Sequence, residues 1–249
     1  MQNKNRRNFL KKTALAGAGL ASLPFATSAK TKEKDIPKDM TIVFQGDSIT
    51  DAWRRKERYY ANDGHGMGDG YVYQIVSNLL GSHPTKNIRC YNRGISGHKV
   101  FQLANRWEDD CLQLAPDVLS ILIGVNDFWH TLTHGYKGTV EVFDKDLRAL
   151  LDRTKKAYPN LKILLCEPFA VEGGTAIGPE WFPAFKGYQK SVKSISEDYK
   201  TAFVPFQSVF DEALKVSPVS YWCPDGVHPS VAGAYLMAQA WLKAFEEMI

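Results

Sequence analysis

The stretch DVLSILIGVND (residues 117–127) decides the fold, because it joins a nearly all-apolar run to a polar turn. Five of the six residues in Val118–Ile123 are apolar. Such continuous apolarity is typical of a central parallel strand that helices cover on both faces. No apolar run in the chain reaches the roughly 18 residues that a membrane-spanning helix needs. The stretch therefore predicts the buried central strand of an α/β domain.

Strand-like and helix-like segments alternate on both sides of this central run. Further strands are predicted at 41–44, 87–91, 161–166 and 202–204. Helices are predicted at 71–80, 100–114, 139–157 and 182–199, with a last helix that Ser230 caps. Strand then helix, repeated about five times, implies right-handed crossovers. We therefore predict a five-stranded parallel sheet in a three-layer α/β/α sandwich, with its ligand site beyond the carboxyl ends of the strands.

The size and composition indicate one folded domain. The chain has 249 residues, of which 44% are hydrophobic and 23% are charged. These values exclude long-range disorder and fibrous repeats. With no internal repeat or second boundary visible, we predict a single domain over residues 39–249, preceded by a charged linker at 30–38.

The formal charge of +4 comes from the N-terminal segment. Residues 1–29 hold five of the 31 basic groups and no acidic group, so that 26 basic and 27 acidic groups are left elsewhere. The rest of the chain thus lacks the basic excess that nucleic-acid binding requires. We predict no nucleic-acid partner.

Residues 1–29 are typical of an export signal. A basic stretch precedes the apolar run from Thr13 to Phe25, and small residues follow where a signal peptidase could cut. Arg6-Arg7, followed by Phe9, Leu10 and Lys11, resembles the twin-arginine signal. An ordinary secretory signal with a chance arginine pair is the alternative. Either route predicts a periplasmic or secreted protein after signal cleavage.

Polar groups follow the predicted strands at their carboxyl ends. They are GDSIT at 46–50, NRGISGH at 92–98, GVND at 124–127 and, before the last helix, DGVHP at 225–229. A serine hydroxyl is a poor nucleophile until a base takes its proton. His228 can be that base for Ser48, and Asp225 can hold the imidazole in the required tautomer. Attack on an ester creates an oxyanion, for which the backbone N–H groups of Ser48 and Gly97 and the Asn126 amide are candidate donors.

These four blocks, in this order, resemble the SGNH (GDSL) hydrolases, serine esterases with a flavodoxin-like α/β fold. The resemblance spans residues 46–228 and implies no cofactor. It implies that Ser48 is the nucleophile, that Asp225 and His228 complete the triad, and that Gly97 and Asn126 complete the oxyanion hole. Gly94 is a rival for the second-block glycine, but Gly97 closes the Asn-x-x-Ile-Ser-Gly pattern that the family shows.

Several other residues allow a structural or a functional interpretation. We expect Asp47 and Asp127 to be structural, because the triad already has its acid. Asn62–Gly70 is glycine-rich but matches no phosphate-binding pattern, so we expect a loop at the rim of the site. His98 and His130 follow the oxyanion segments and are weaker candidates for substrate contact. No histidine and acid spacing matches a metal site, and we predict no metal.

Aromatic and basic side chains near the blocks are candidates for substrate contact. Trp129 and Trp222 are our candidates for the pocket wall, chosen from a cluster that also contains Trp53 and Phe128. Arg54, Arg55 and Arg93 could meet an anionic substrate, although solvated charges are the default. The cysteines are Cys90, Cys111, Cys166 and Cys223. No CxxC pair occurs, and burial as small apolar side chains is favoured over a disulfide.

The sequence therefore predicts an exported serine esterase that works through an acyl-enzyme. The export signal and the aromatic residues favour short acyl groups, such as acetyl, on carbohydrate. A lysophospholipase or thioesterase for longer acyl chains is the first alternative. A non-catalytic carbohydrate-binding protein with the same fold is the second.

Overall fold

Five parallel strands form the centre of the protein in the computed structural model, which describes Ile36–Ile249. They lie in the order β2-β1-β3-β4-β5, the doubly wound order of flavodoxin-like folds. The five strands are β1 (Thr41–Gly46), β2 (Arg89–Asn92), β3 (Val118–Leu122), β4 (Lys162–Cys166) and β5 (Ala202–Val204). The predicted fold class, a parallel sheet between helices, is confirmed.

Helices connect the strands and cover both faces of the sheet. They are α1 (Ser48–Asp51), α2 (Gly64–Met67), α3 (Tyr71–Ser82), α4 (Val100–Asn105), α5 (Trp107–Asp110), α6 (Val125–Thr133), α7 (Val140–Ala157), α8 (Lys186–Tyr199), α9 (Phe206–Ala213), α10 (Val219–Trp222) and α11 (Val231–Met248). Short 3₁₀ helices occupy Leu112–Leu114 and Pro179–Trp181. Among the helices from residue 36 onward, none combines the length and apolarity that a bilayer span requires.

Strand β3 lies in the middle of the sheet, and all five of its residues are buried. Its one polar side chain, Ser120, accepts a hydrogen bond of 2.9 Å from the Trp241 indole N–H of α11. That bond satisfies a hydroxyl whose burial without a partner would cost free energy. Gly46 at the end of β1 pairs in register with Leu122 at the end of β3. The loops that follow these two strands therefore start side by side.

Two predicted helices have different bounds in the structure. The helix predicted over 100–114 is broken at Arg106, whose backbone is non-helical at φ −114° and ψ 11°. The Arg106 guanidinium donates to the Arg93 carbonyl and to the Asp110 carboxylate, each at 2.8 Å. The helix predicted from residue 182 begins at Lys186 instead. Phe182 is extended, as the residue before a proline prefers to be.

The compact unit begins at Ile36, whose side chain is buried in the core. The predicted export signal at 1–29 and most of the predicted linker lie outside the described residues. All four cysteines are buried and free. Burial raises the pKa of each thiol to about 12, which keeps them protonated and unreactive.

Candidate active site

Ser48 lies at the start of α1, directly after β1. The side chain of Asp47 caps this helix by accepting a 3.0 Å hydrogen bond from the backbone N–H of Ile49. At Gly46, a β-carbon would lie only 2.5 Å from the Leu122 carbonyl oxygen. Glycine is therefore needed where α1 approaches β3. The strand end and the helix cap together fix the serine at the carboxyl edge of the sheet.

Ser48, His228 and Asp225 form one continuous hydrogen-bonded chain. The Ser48 Oγ lies 2.8 Å from His228 Nε2, and His228 Nδ1 lies 2.7 Å from Asp225 Oδ2. The other carboxylate oxygen, Oδ1, accepts from the backbone N–H groups of Val227 at 2.9 Å and His228 at 2.7 Å. A carboxylate at Nδ1 holds the proton there and leaves Nε2 to accept the serine proton. The sequence-predicted triad residues thus lie in the arrangement that serine activation requires.

The electrostatics of this chain suit a general base. The hydrogen bond to Asp225 raises the pKa of His228 above its usual 6.5, and burial opposes that change only partly. Burial raises the pKa of Asp225, but the hydrogen bonds from His228 and the backbone outweigh it, and the net pKa is lowered. The carboxylate therefore stays ionised and favours a proton on the imidazole. Both side chains are partly exposed, so a substrate can reach them.

The candidate oxyanion-hole residues Gly97 and Asn126 lie on segments that hydrogen bonds join to each other and to α1. Asn126, in the first turn of α6, is buried, and its amide donates to the His98 carbonyl at 3.3 Å. Ser96 is tied to α1, because Asp51 accepts from its backbone N–H at 2.9 Å and from its hydroxyl at 2.6 Å. Gly97 is thus held between Ser96, which is anchored to α1, and His98, whose carbonyl is bound by Asn126. Its φ of +80° is a conformation that favours glycine.

Gly94, the rival glycine, has a packing role. A β-carbon there would lie 2.8 Å from the backbone carbon of Thr50 in α1. Its N–H donates to Asn92 Oδ1 at 2.9 Å, and its carbonyl accepts from the Arg54 guanidinium at 2.8 Å. Both backbone groups are therefore occupied, which favours Gly97 as the oxyanion donor.

Asp47 and Asp127 are carboxyl groups buried beneath the site. Asp127 Oδ1 accepts from the Val100 backbone N–H at 3.2 Å and so fastens the segment after Gly97 to α6. Burial raises the pKa of each carboxyl group to about 7. One oxygen of each, Oδ2, has no hydrogen-bond partner. The hydrogen bonds fit the predicted structural roles. The raised pKa values mean that both carboxyl groups change their protonation near neutral pH.

A cavity of about 380 Å³ opens at the catalytic serine. Its lining residues are Ser48, Ile49, Ala52, Trp53, Asp69, Gly70, Ser96, Asp225, His228 and Pro229. Asp69 and Gly70 belong to the glycine-rich stretch that we expected to be a loop at the rim, although Gly64–Met67 within it forms the short helix α2. Trp53 is 91% exposed on this rim. The sequence placed Trp53 in the aromatic cluster but gave no signal that singled it out.

The two tryptophans chosen from the sequence lie outside this cavity lining. The Trp129 ring centroid is 6.4 Å from that of His228, so Trp129 borders the histidine and packs on Trp181 at 5.6 Å. Trp222 lines a separate cavity, and its indole N–H donates to the Ala213 carbonyl at 3.0 Å. Trp222 therefore belongs to the wall of that second cavity and not to the wall of the cavity at Ser48.

Two of the three basic candidates are engaged in the fold: the Arg54 guanidinium donates to the Gly94 carbonyl and that of Arg93 to the Tyr59 carbonyl. Arg54 and Arg93 are buried, whereas Arg55 is exposed.

The two candidate histidines are neutral. The pKa of His98 is lowered to about 4, mainly by burial and then by the positive charge of Arg106. The pKa of His130 is also lowered to about 4, mainly by burial and then by the positive charge of Lys99. Each neutral imidazole accepts a hydrogen bond from a cation: His98 Nδ1 from Arg106 Nε at 3.2 Å, and His130 Nδ1 from Lys99 Nζ at 3.0 Å.

A search of the described range for three or more His, Cys, Asp or Glu side chains that could together hold a metal ion finds none. The hydrogen-bonded chain of Ser48, His228 and Asp225 supplies a serine and its base from the chain's own residues, with Gly97 and Asn126 as candidate oxyanion donors. This arrangement can carry out nucleophilic acyl transfer.

Comparison with known proteins agrees with this chemistry. Residues 44–236 match the model of the GDSL-like lipase/acylhydrolase family. The chain is 37% identical over 209 residues to an acetylxylan esterase of Geobacillus stearothermophilus, an alignment that covers 81% of this chain and 92% of that one. A structure described as a GDSL-like lipase from Parabacteroides merdae is 53% identical, with a TM-score of 0.83, over 84% of this chain and 97% of that one.

The solved structures also include the Geobacillus esterase. It superposes with a TM-score of 0.74 at 35% identity, over 84% of this chain and 95% of that one. Three variants of that esterase are described as catalytic mutants, and they replace a serine, an aspartate and a histidine by alanine. In that esterase the aspartate and the histidine are three positions apart, which is also the spacing of Asp225 and His228 here.

Proposed function

The chain belongs to the GDSL-like lipase/acylhydrolase family, and on that basis we propose that it removes acetyl groups from carbohydrate through an acyl-enzyme on Ser48. The family membership that the sequence motifs indicated is confirmed, and the chain is a carboxylic ester hydrolase. The observation that carries the mechanism is the hydrogen-bonded chain from Ser48 through His228 to Asp225. The similarity to an acetylxylan esterase supports the choice of substrate.

The first half-reaction acylates the serine. Ser48 Oγ attacks the ester carbonyl carbon while its proton moves to His228 Nε2. The negative charge that develops on the carbonyl oxygen is stabilised by the Ser48 and Gly97 N–H groups and by the Asn126 amide. The carbon–oxygen bond to the sugar then breaks, and the leaving alkoxide takes the proton from Nε2. Asp225 remains ionised and stabilises the imidazolium throughout.

The second half-reaction releases the acid. Water gives a proton to His228 Nε2 and attacks the acyl carbon, and the oxyanion forms in the same hole. The ester bond to Ser48 breaks, and the serine oxygen recovers its proton from the histidine. The products are acetate and the free sugar hydroxyl, and the enzyme returns to its starting state.

The size of the cavity favours a short acyl group. At about 380 Å³ it is near the lower end of small-molecule sites. Its lining is mixed, with the apolar side chains of Ile49, Trp53 and Pro229 beside several polar groups. An octanoyl chain would need a continuous apolar wall, which this lining does not offer.

Hydrolysis of p-nitrophenyl acetate, butyrate and octanoate, beside acetate release from acetylated xylo-oligosaccharides, tests the proposal. We expect activity to fall steeply with acyl length and to vanish in Ser48→Ala. Ser82→Ala, at an exposed position, is the matched control and should retain full activity. Preference for octanoate would favour a lysophospholipase or thioesterase. Glycan binding without any hydrolysis would favour a carbohydrate-binding protein.

We also propose that the chain is exported by the twin-arginine route and acts in the periplasm or outside the cell. The basic stretch with Arg6-Arg7, and the apolar run after it, support this. Replacing both arginines with lysine should keep the precursor inside the cell, as fractionation and immunoblotting would detect. Undiminished export of that variant would favour an ordinary secretory signal.

A further inference from the structure

A second and larger cavity adjoins the catalytic one. Its volume is about 1070 Å³, and its lining residues are Asp69, Tyr73, Gln74, Tyr221, Trp222, Ser230, Val231, Ala232, Tyr235 and Leu236. Asp69 lines both cavities. Ser230 and Val231 also follow His228 by only two and three residues. We call this second cavity the tyrosine groove. It shares one wall residue, Asp69, with the catalytic pocket.

Three helices form the tyrosine groove. Helices α3 and α11 pack side by side, and the short helix α10 closes one end. The Gln74 amide of α3 donates to the Val231 carbonyl of α11 at 3.2 Å. The Ser230 hydroxyl donates to the Tyr221 carbonyl at 2.6 Å. These bonds join the walls, so the groove exists before any ligand binds.

The aromatic rings of the groove face solvent. The exposed fractions are 46% for Tyr73, 56% for Tyr221 and 54% for Tyr235. Clustered exposed aromatic surface on one side of a protein is typical of a binding site. The rings present flat apolar faces, and their hydroxyl groups can bond polar partners at the edge of a ligand.

The charge of the groove narrows the class of ligand. Asp69 is the one charged residue in the lining given above, and neither lysine nor arginine contributes to it. Phosphate or carboxylate groups would meet no cation and are therefore disfavoured. A carboxylate and tyrosine hydroxyls can accept hydrogen bonds from sugar hydroxyls, while the rings cover the apolar faces of the pyranose. An acyl chain would be left open to water, because Val231 on the rim is 79% exposed.

We propose that the tyrosine groove binds the neighbouring sugar units of an acetylated polysaccharide while one acetyl group occupies the pocket at Ser48. This inference rests on the proposed function and extends its substrate from a single acetylated sugar to a glycan chain. Because Asp69 lines both cavities, a chain that leaves the pocket on that side enters the groove. Tyr221 and Tyr235 provide the stacking surfaces.

The test compares substrates that can and cannot reach the groove. Tyr221→Ala and Tyr235→Ala should each raise KM for an acetylated xylohexaose about fivefold to tenfold, the loss expected for one aromatic face. On p-nitrophenyl acetate, both variants should retain the kcat/KM of the unsubstituted protein. Tyr60→Ala, at a 72% exposed tyrosine outside both cavities, is the matched control and should change neither value.

Binding without hydrolysis separates this inference from the proposed function. Full-length Ser48→Ala should bind unacetylated xylohexaose in isothermal titration calorimetry, and adding Tyr235→Ala should weaken that binding about fivefold to tenfold. If the tyrosine variants bind and hydrolyse glycans like the parent, the groove inference is overturned while the esterase function stands. Glycan binding through the tyrosines without acetate release would support the groove and overturn the proposed function.

A second copy of the chain is the competing occupant. Light scattering would detect a dimer, and Val231→Glu would disrupt an interface centred on the groove. Dissociation of a dimer by Val231→Glu, with no loss of glycan binding in the tyrosine variants, would contradict the inference. A protein that binds xylohexaose through Tyr235, whatever its oligomeric state, would support it.

Discussion

The Ser48 hydroxyl lies 2.8 Å from Nε2 of His228, although 180 positions of sequence separate the two residues. Each partner is held by its own part of the fold. Ser48 follows β1, whereas the loop of His228 is anchored by backbone hydrogen bonds from Val171 to Gly226 at 2.8 Å and from Ala176 to Asp225 at 2.9 Å. The reactivity of the serine therefore depends on the packing of the whole domain.

Asp225→Asn should lower kcat about ten-thousandfold on short acyl esters. The amide can donate to His228 Nδ1 and so favours the tautomer with its proton on Nε2, which cannot accept the serine proton. The fold should survive, because the amide oxygen can still accept from the backbone N–H of His228. Steady-state kinetics with circular dichroism as the folding check would measure this. Near-normal kcat in a folded variant would exclude Asp225 as the orienting acid.

The pH profile should report the protonation of His228. Its hydrogen bond to Asp225 raises its pKa above 6.5. Only the neutral imidazole can take the serine proton, so kcat/KM should rise with pH through that raised pKa and level off above it. In Asp225→Asn the residual activity should rise at lower pH, because the main causes that raise the histidine pKa are lost and only the charge of Asp47 still opposes burial. Profiles between about pH 5 and pH 9 on p-nitrophenyl acetate would check this, and a flat profile would contradict it.

Asn126→Ala should lower kcat about a hundredfold with little change in KM. The amide stabilises charge that develops only in the transition state, so its removal spares substrate binding. Asn126 also donates to the His98 carbonyl, and the variant therefore needs a folding control. Asn126→Asp keeps the shape but removes the donors, and should lose at least as much activity. A rise in KM alone would place Asn126 in substrate binding instead.

Asp47→Asn should change the pH dependence of stability. The pKa of this buried carboxyl group is about 7 when folded, against 3.8 as its ordinary value. The folded state thus holds a proton that the unfolded state releases, and stability falls as pH rises between these values. Between pH 5 and pH 8 the wild-type chain should lose about 2 kcal/mol that Asp47→Asn retains. Urea unfolding of both proteins would measure the difference.

The control for that experiment is Asp109→Asn, at an exposed carboxylate. Its stability should run parallel to that of the wild-type chain over the same pH range. Parallel profiles for Asp47→Asn would mean that the carboxyl group at position 47 does not take up a proton on folding.

The sheet and the triad could be predicted because their signals are local or come from short motifs. A nearly all-apolar run such as Val118–Leu122 identifies a buried central strand by itself. The break at Arg106 could not be predicted, because the guanidinium bonds that accompany it involve Arg93, a residue distant in sequence. The location of the Trp222 side chain could not be predicted either. It lies near His228 in sequence, but its indole bond to Ala213 directs it into the tyrosine groove.

Among the helices longer than four residues, α6 and α9 were missed, for different reasons. Helix α6 begins inside the polar GVND turn, with Gly124 at its start in a conformation of φ +126°. The polar residues Asn126 and Asp127 in its first turn interrupt the apolar periodicity by which a helix is recognised. Helix α9 starts at once after Pro205 and has only eight residues, which is short for a pattern of apolar periodicity.

The most direct test of the account is covalent labelling with a serine-reactive fluorophosphonate, with acetate release from acetylated xylo-oligosaccharides assayed in parallel. The account predicts one label per chain, on the peptide that contains Ser48, and loss of acetate release in proportion to labelling. His228→Ala should label far more slowly, because the serine then has no base. Label on another residue, or full acetate release from a chain labelled at Ser48, would contradict the account.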